Sequence, residues 1–566
     1  MVPSLYRRLP AWLRQYRRDI FAGDLLAASM ALMLTVPQAL AYAALAGLPP
    51  YLGLYASLLP LALYAVFGGQ PALAVGPVAV LGVVTASALA PLAMPGSMEY
   101  IVAAAVLALL SGGLLMLFGL LRLGVLAQLL SHPVASGFIS GAGVLIILSQ
   151  LPPLLGLATS TRSGALQLFD IAAQLGSATP LVAALGGGSL LVLLLSRRGL
   201  PRLLHALGLR PPHALLLSRL MPMLLVLLAV ALVHVRQWHG LLPVVGALPS
   251  GLPSLAWPAV DLPLLRSLLL PALVVALIGF VENISIAQRL RGDQNVDADR
   301  ELLALGAANL GSAFSGAMPV AASFSRSAVN AESGARTPLA NLFTVLALAC
   351  VLLWFTDIFR TLPLAVLSAI IISAAIGLID LRTLRHAWRY DRADAMAWLG
   401  TFGGVLVFGI EAGIALGIGL SLATLIWQAS RPHIAVVGRV PGTEHFRNVL
   451  RFEVKTHDNL LFLRIDEVLF FGNVRAVEQR IGQALRSQPT AEHLVLLLSS
   501  VSRIDATALE MLHSLNNDLA GRGIKLHLAE VRGMVLDQLK RSDLLEQLST
   551  APFLSAFEAE VKLGGK

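Results

Sequence analysis

Apolar windows follow one another through the first 430 residues, at about 24–46, 53–68, 76–92, 100–120, 125–148, 179–196, 221–236, 265–288, 301–316, 319–331, 338–356, 362–379, 394–409 and 411–430. Such a succession leaves one class of fold open. In lipid each backbone polar group must find its partner inside the protein, so spanning segments of this kind are helices. The expectation is an α-helical polytopic membrane protein with 14 transmembrane segments. Composition agrees: hydrophobic residues make up 57% of the 566 residues and charged residues 13%, against about 25% charged in soluble domains.

The charge is unevenly spread. Residues 431–566 hold 17 Lys+Arg and 16 Asp+Glu, 33 charges in 136 positions, while residues 1–430 hold 24 and 16, 40 charges in 430 positions. Three regions are therefore expected: 1–23 as a cytoplasmic N-terminal segment, 24–430 as the transmembrane part, and 431–566 as a soluble cytoplasmic domain. The net +9 belongs almost wholly to the membrane part, where arginines set orientation. It does not indicate a nucleic-acid partner. Arg7, Arg8, Arg14, Arg17 and Arg18 precede the first apolar window as in a signal peptide, but the window is too long, so it reads as a retained span. Cys350 is the single cysteine, which excludes an internal disulfide and a cysteine-based metal site.

Loop charge checks the count. With the N-terminus inside, the even-numbered loops carry Arg122; then Arg197, Arg198, Arg202, Arg210 and Arg219; then Arg289, Arg291 and Arg300; then Arg382, Arg385, Arg389 and Arg392. The segment 237–264 has no Lys or Arg, as an outside loop should. Fourteen spans divide into seven plus seven, and an odd number per half makes the repeats, about 24–236 and 265–430, run in opposite directions. The third span of each half is short and opens with Pro, Gly or small residues: QPALAVGPVAVLGVV (70–84) and GAMPVAASFSRSAVN (316–330). Paired short segments of this kind point to a binding site near the midplane. Two half-helices meeting N-terminus to N-terminus would favour an anion between them.

Arg326 stands in the second of these segments, beside Ser323, Ser325 and Ser327. An unpaired arginine at membrane depth costs about 2.5–3.5 kcal/mol on insertion scales. It either pairs with an acid such as Glu332 or serves as fixed charge for a small anion; the second reading is preferred. Glu282 lies inside span 8 and reads as a protonatable group beside that site, or else as a carboxylate paired or wetted at the cytoplasmic end. Gln38 and Tyr42 fall where Pro37 interrupts span 1, and could offer an amide and a ring to a substrate or simply pack at a kink. The histidines show no metal-ligand spacing, and no nucleophile–base pair or nucleotide-binding glycine loop can be read, so neither a metal, a cofactor nor an enzyme is expected.

After residue 430 strand-like runs at 459–471, 493–501 and 524–530 alternate with amphipathic helices near 473–487, 505–521 and 532–548, a small α/β domain. In SRIDATALEML (502–512) Ser502 or Asp505 caps a helix, and Thr507 is a candidate regulatory phosphosite at its start.

The stretches VPQALAYAALAGLPPYLGLYAS (36–57), LAVGPVAV (73–80), SFSRSAVNAESGARTPLANL (323–342) and IDATALEML (504–512) together resemble a sulfate permease (SulP) family anion transporter with a C-terminal STAS domain. The resemblance runs from about residue 20 to 550. It implies the seven-plus-seven fold of uracil permeases, with core and gate parts moving as an elevator, and a homodimer. It implies an anion site between spans 3 and 10, lined by Gln38 and Tyr42, by Val78 and Ala79, and by Phe324, Ser325 and Arg326. It also associates Glu282 with proton coupling. The chain departs from the family pattern at Ala321-Ala322, where Thr-Gly is usual, and at Ala506, which leaves Thr507 as the one hydroxyl of a common pair.

The function expected is secondary active transport of a small anion, with sulfate and protons favoured, in the cytoplasmic (inner) membrane with both termini inside. Dicarboxylate or sodium-coupled bicarbonate transport is the rival within the family. A membrane-anchored anion sensor signalling through STAS, or an anion channel, is the rival outside it. Expected partners are the anion, protons, membrane lipid, a second copy of the chain and a cytoplasmic protein at STAS.

Overall fold

The computed structural model describes residues 16–125, 131–158, 166–206, 208, 218, 220–291 and 296–564. Residues 1–15 of the N-terminal segment, and Arg210 and Arg219 of the loop reading, lie outside them. The chain divides into two compact units, Met1–Ser421 and Leu422–Lys566.

The first unit opens with α1 (Arg18–Leu45), α2 (Tyr51–Tyr55), α3 (Leu59–Phe67), β1 (Val75–Gly76), α4 (Ala79–Leu89), α5 (Met98–Leu120), α6 (His132–Leu155), α7 (Gln167–Gln174), α8 (Pro180–Ala206) and α9 (Met221–Arg236). It continues with α10 (Leu262–Arg291), α11 (Ala298–Phe314), β2 (Ala321–Ala322), α12 (Phe324–Glu332), α13 (Leu339–Trp354), α14 (Leu364–Ile376), α15 (Leu381–Tyr390) and α16 (Arg392–Phe408), and α17 (Ile410–Ala429) runs across its boundary at Ser421. Six helices among the described residues are long and apolar enough to cross a membrane, and shorter apolar helices stand beside them.

Helices occupy each of the windows read from sequence, with differences that have local causes. The window at 53–68 breaks between α2 and α3, where Pro60 starts the second piece: it cannot donate to the turn before it. The windows at 76–92 and 319–331 are only part helix, because an extended segment precedes each. Segment 316–320 is held against α11 by side chains: Asn309 Nδ2 donates to the Val320 carbonyl (2.9 Å) and Val320 N donates to Asn309 Oδ1 (3.0 Å). Those bonds satisfy backbone that would otherwise be orphaned at membrane depth. Asp297 caps α11, accepting from Asp299 N and Arg300 N, and Ser97 caps α5.

Two helix groups pack largely within themselves. In one, α11 lies along α5 and α3, α10 along α5, and α1 along α12 and α13; in the other, α6 lies along α14 and α16, and α8 along α14. A buried carboxylate stitches the first group. Glu301 accepts from Tyr64 Oη (2.7 Å), Asn283 Nδ2 (2.8 Å) and Gly69 N (3.0 Å), tying α11 to α3 and α10. Asp24, fully buried in α1, accepts from Arg336 N at 2.8 Å and from Thr337 Oγ1 at 2.5 Å, fixing α1 to the segment after α12.

The second unit carries β3 (Ile434–Arg439), β4 (Phe446–Asn448), β5 (Leu460–Ile465), α18 (Val474–Ser487), β6 (His493–Leu497), α19 (Ala506–Ala520), β7 (Lys525–Ala529), α20 (Gly533–Leu539), α21 (Leu544–Gln547) and α22 (Ala556–Leu563). The sheet order is β4-β3-β5-β6-β7; β5, β6 and β7 are parallel and β3 pairs antiparallel to its neighbours. The parallel strands are apolar on both faces because helices cover both. Positions 474, 477, 481, 484 and 485 of α18 form the buried stripe of an amphipathic helix. The single helix expected at 532–548 is two, α20 and α21. Ser542 intervenes, its hydroxyl donating to Leu539 O (2.8 Å) and accepting from Leu544 N (3.4 Å).

Candidate functional site

The two short segments expected to meet do meet. β1 and β2 pair antiparallel, Val75 opposite Ala322 and Gly76 opposite Ala321, and Ser323 N donates to Ala74 O (2.9 Å). Each strand runs straight into a helix, so the N-termini of α4 and α12 are brought side by side. Their N-cap residues, Val78 and Ser323, are extended and neither gives a side-chain cap. The first amides of both helices therefore keep the partial positive charge that an anion seeks.

Arg326 sits in the first turn of α12 and is 1% exposed. Its Nη2 donates to the Pro77 carbonyl at 2.7 Å, just before α4, and its buried Nε meets no partner. The guanidinium thus bridges the two half-helices through backbone, where an acid partner such as Glu332 was one expectation. Its charge stays uncompensated by that bond. Gly76 makes room for it, since a Cβ there would lie 2.8 Å from Arg326 Nη1. Two asparagines brace the arrangement: Asn330 Nδ2 donates to Asn341 Oδ1 (3.0 Å), and Asn341 Nδ2 donates to Leu73 O (2.9 Å).

Beside the first turn of α12 lies a cavity of about 310 Å³, lined by Gln38 of α1, Phe324 and Ser325 of α12, Arg197 of α8, Ser218 and Ser373. Gln38 Nε2 donates to Ser325 Oγ (3.3 Å), while its buried Oε1 has no partner, and Ser325 Oγ also lies 3.3 Å from Ser323 Oγ. Of the residues singled out from sequence, Gln38, Phe324 and Ser325 face this cavity. Tyr42, Val78, Ala79 and Arg326 do not line it; all four are buried. Tyr42 and Ala79 share one apolar cluster, and Tyr42 lies within electrostatic reach of Arg326.

Glu282 is placed differently. It lines a separate small cavity, with Val80, Phe138 and Ile418, and its buried Oε2 has no partner. Arg326 is the charge that acts on it. The pair is close enough to feel one another without forming an ion pair.

Sequence reading missed Arg197. The apolar window closed at 196 and the arginines after it were read as loop, whereas α8 runs unbroken to Ala206. An arginine directly after SLLVLLLS, with no helix breaker between them, was the available signal. The Glu301 network was missed as well, because its members are far apart in sequence.

In the second unit Asp505 caps α19, accepting from Ala508 N (2.9 Å), and it also accepts from Phe471 N (2.8 Å). Thr507 is exposed in the first turn of α19. Burial, then the charges of His493 and Lys525, push the pKa of His527 down to about 4, so this ring is neutral and bridges His493 and Thr550 as a structural link.

A family model described as the sulfate permease family matches residues 21–401, and one described as the STAS domain matches residues 451–557. The chain is 35% identical over 551 residues to a probable sulfate transporter 4.2 of Arabidopsis thaliana, covering 94% of this chain and 80% of that one. It is 33% identical over 540 residues to a probable sulfate transporter of Mycobacterium tuberculosis, covering 94% of each. Among solved structures, the murine solute carrier 26 family member A9 anion transporter in the inward-facing state aligns with TM-score 0.87 at 22% identity, over 98% of this chain and 93% of that one. The transmembrane domain of the cyanobacterial bicarbonate transporter BicA aligns with TM-score 0.58 at 23% identity, over 72% of this chain and 98% of that one. These two likenesses bear on the fold.

Proposed function

This chain belongs to the sulfate permease family of membrane anion transporters, and from that premise we propose that it carries sulfate together with protons across the cytoplasmic membrane. The observation that carries the reading is the pairing of β1 with β2, which sets two uncapped helix N-termini beside a buried arginine. A doubly charged oxyanion gains from both helix ends and from the guanidinium, and Ser325 and Gln38 supply donors at the cavity wall. The substrate site consists of Gln38, Phe324 and Ser325 at the cavity surface, with Tyr42, Val78, Ala79 and Arg326 behind it. Residues 24–430 form the transporting domain, and 431–566 a cytoplasmic regulatory domain with Thr507 as its candidate phosphosite. Both termini are inside, and the working unit is a homodimer.

Glu282 supplies the coupling. A carboxylate beside Arg326 offsets part of the charge that the anion needs. Protonating it removes the competition, so proton and anion favour one another's binding. With an inside-negative potential, each co-transported proton also relieves about 2.3 kcal/mol per 100 mV of the penalty on anion entry.

The test is uptake into proteoliposomes of labelled sulfate, bicarbonate, nitrate and a dicarboxylate, each with and without a pH gradient. Saturable sulfate uptake stimulated by an inward proton gradient is expected, and Arg326→Ala should abolish it while the purified variant remains folded. Wild-type uptake by Arg326→Ala refutes the site assignment. Sodium-driven bicarbonate uptake refutes the sulfate and proton reading.

A further inference from the structure

Arg197 is the one charged side chain among the described residues that line the 310 Å³ cavity. It is exposed to that space, it stands within electrostatic reach of Tyr42, and no carboxylate of the described residues pairs with it. Its guanidinium lies at the C-terminal end of α14: a Cβ on Gly377, the C-cap, would be 3.7 Å from Arg197 Nη1. A helix C-terminus holds a cation in place by its dipole without discharging it. Arg197 is therefore fixed yet available.

Its helix matters as much as its charge. Arg326, Ser325 and Gln38 belong to α12 and α1, in the first helix group; Arg197 belongs to α8, which packs on α14 in the second. Alternating access moves one bundle against the other around the bound substrate. A cation on the second bundle thus faces the substrate in one state and loses it in the other. α8 continues past Arg197 through Arg198 and Arg202 to Ala206, the side that loop charge assigns to the cytoplasm.

We infer that Arg197 is the second cation of the inward-facing site, completing charge neutralisation of a divalent oxyanion on the cytoplasmic side and left behind when the site turns outward. The inference rests on the transport reading above. It makes the two faces of the protein unequal: the inner site has two arginines, the outer has Arg326 alone. The asymmetry favours divalent over monovalent anions on the inner face.

The test compares KM at the two faces. Labelled sulfate uptake into intact cells reads the outer face, and uptake into inside-out vesicles from the same cells reads the inner. Arg197→Ala should raise the inner KM for sulfate about tenfold, the effect of one lost charge contact of about 1.4 kcal/mol. It should shift the outer KM by less than about twofold and the inner KM for nitrate far less than that for sulfate. Arg197→Lys, which keeps the charge, should recover most of the inner affinity. Equal shifts at both faces, or an unchanged inner KM, overturn the inference. So does a loss of thermal stability with both KM values intact, which would mean that Arg197 only caps α14. Wild-type protein that moves no sulfate at either face refutes the transport reading itself, an outcome separate from normal wild-type transport with an unaltered variant.

Discussion

Gly76→Ala probes the contact on which the candidate site depends. A methyl group at this position would lie 2.8 Å from Arg326 Nη1, 3.2 Å from Nη2 and 3.3 Å from Cζ. The first of these distances is not tolerated, so the guanidinium must move. It is 1% exposed and held by the Pro77 carbonyl at 2.7 Å, so movement breaks that bond. A hydrogen bond to a charged group contributes about 1.5–3 kcal/mol, and overpacking a buried position costs about 1–3 kcal/mol. A long side chain can bend away from part of the clash, which places the expected loss of stability at about 2–4 kcal/mol. Charge displaced from the helix ends also weakens anion binding, by about ten- to a hundredfold if 1.4–2.8 kcal/mol of the contact is lost. Thermal unfolding of the purified protein reads the first quantity, and the KM for sulfate in proteoliposomes reads the second. The double variant Gly76→Ala/Arg326→Ala is the control: with no guanidinium to meet, the methyl should cost almost nothing beyond Arg326→Ala alone. Such non-additivity is expected of two groups in contact. A single variant with wild-type stability and KM refutes the reasoning. So does an equal penalty in both backgrounds, which would place the clash on backbone.

Two further outcomes follow from the assignments above. Glu282→Gln mimics the protonated carboxyl, so it should retain sulfate binding, lose its dependence on external pH and fail to accumulate sulfate on a proton gradient; accumulation with the wild-type pH profile would remove Glu282 from the coupling role. Truncation after Ser430 should leave sulfate binding to the purified membrane unit within about threefold, since each unit has its own core, while turnover or membrane abundance falls; complete loss of binding would show the two units to be inseparable.

Much of the membrane unit was legible because lipid allows so few solutions. Apolar windows located the helices, and Pro and Gly located the two short ones. Arg326 was conspicuous because a fixed charge at membrane depth demands a reason. Its partner was not legible. The guanidinium bonds a carbonyl, and a carbonyl leaves no mark on the side-chain sequence. The strands β1 and β2 were equally invisible, since two small residues each cannot show a period. Glu282 stood out as a carboxylate inside an apolar span, yet its place in a separate apolar cavity depends on the rotation of α10, which hydropathy does not fix. Arg197 was hidden by the same arginine excess from which the expected orientation was read. In the second unit α20 and α21 read as one helix because their apolar period survives the break, while the hydroxyl of Ser542 that makes the break looks like any surface serine.

The β1–β2 pairing also limits how such a protein can diverge. Its bonds are between backbones, so they do not themselves specify the side chains at 75, 321 and 322, while position 76 is kept as glycine by Arg326. An inserted residue on either side would slip the register and turn that strand's side chains to the opposite face. It would pull both helix ends out of alignment at once. The two paired segments can therefore drift apart in composition while remaining locked in length. New substrate preferences in descendants of this chain would arise by point substitution beside the strands, Ala321 and Ala322 among the first places to look, and not by growth of a loop.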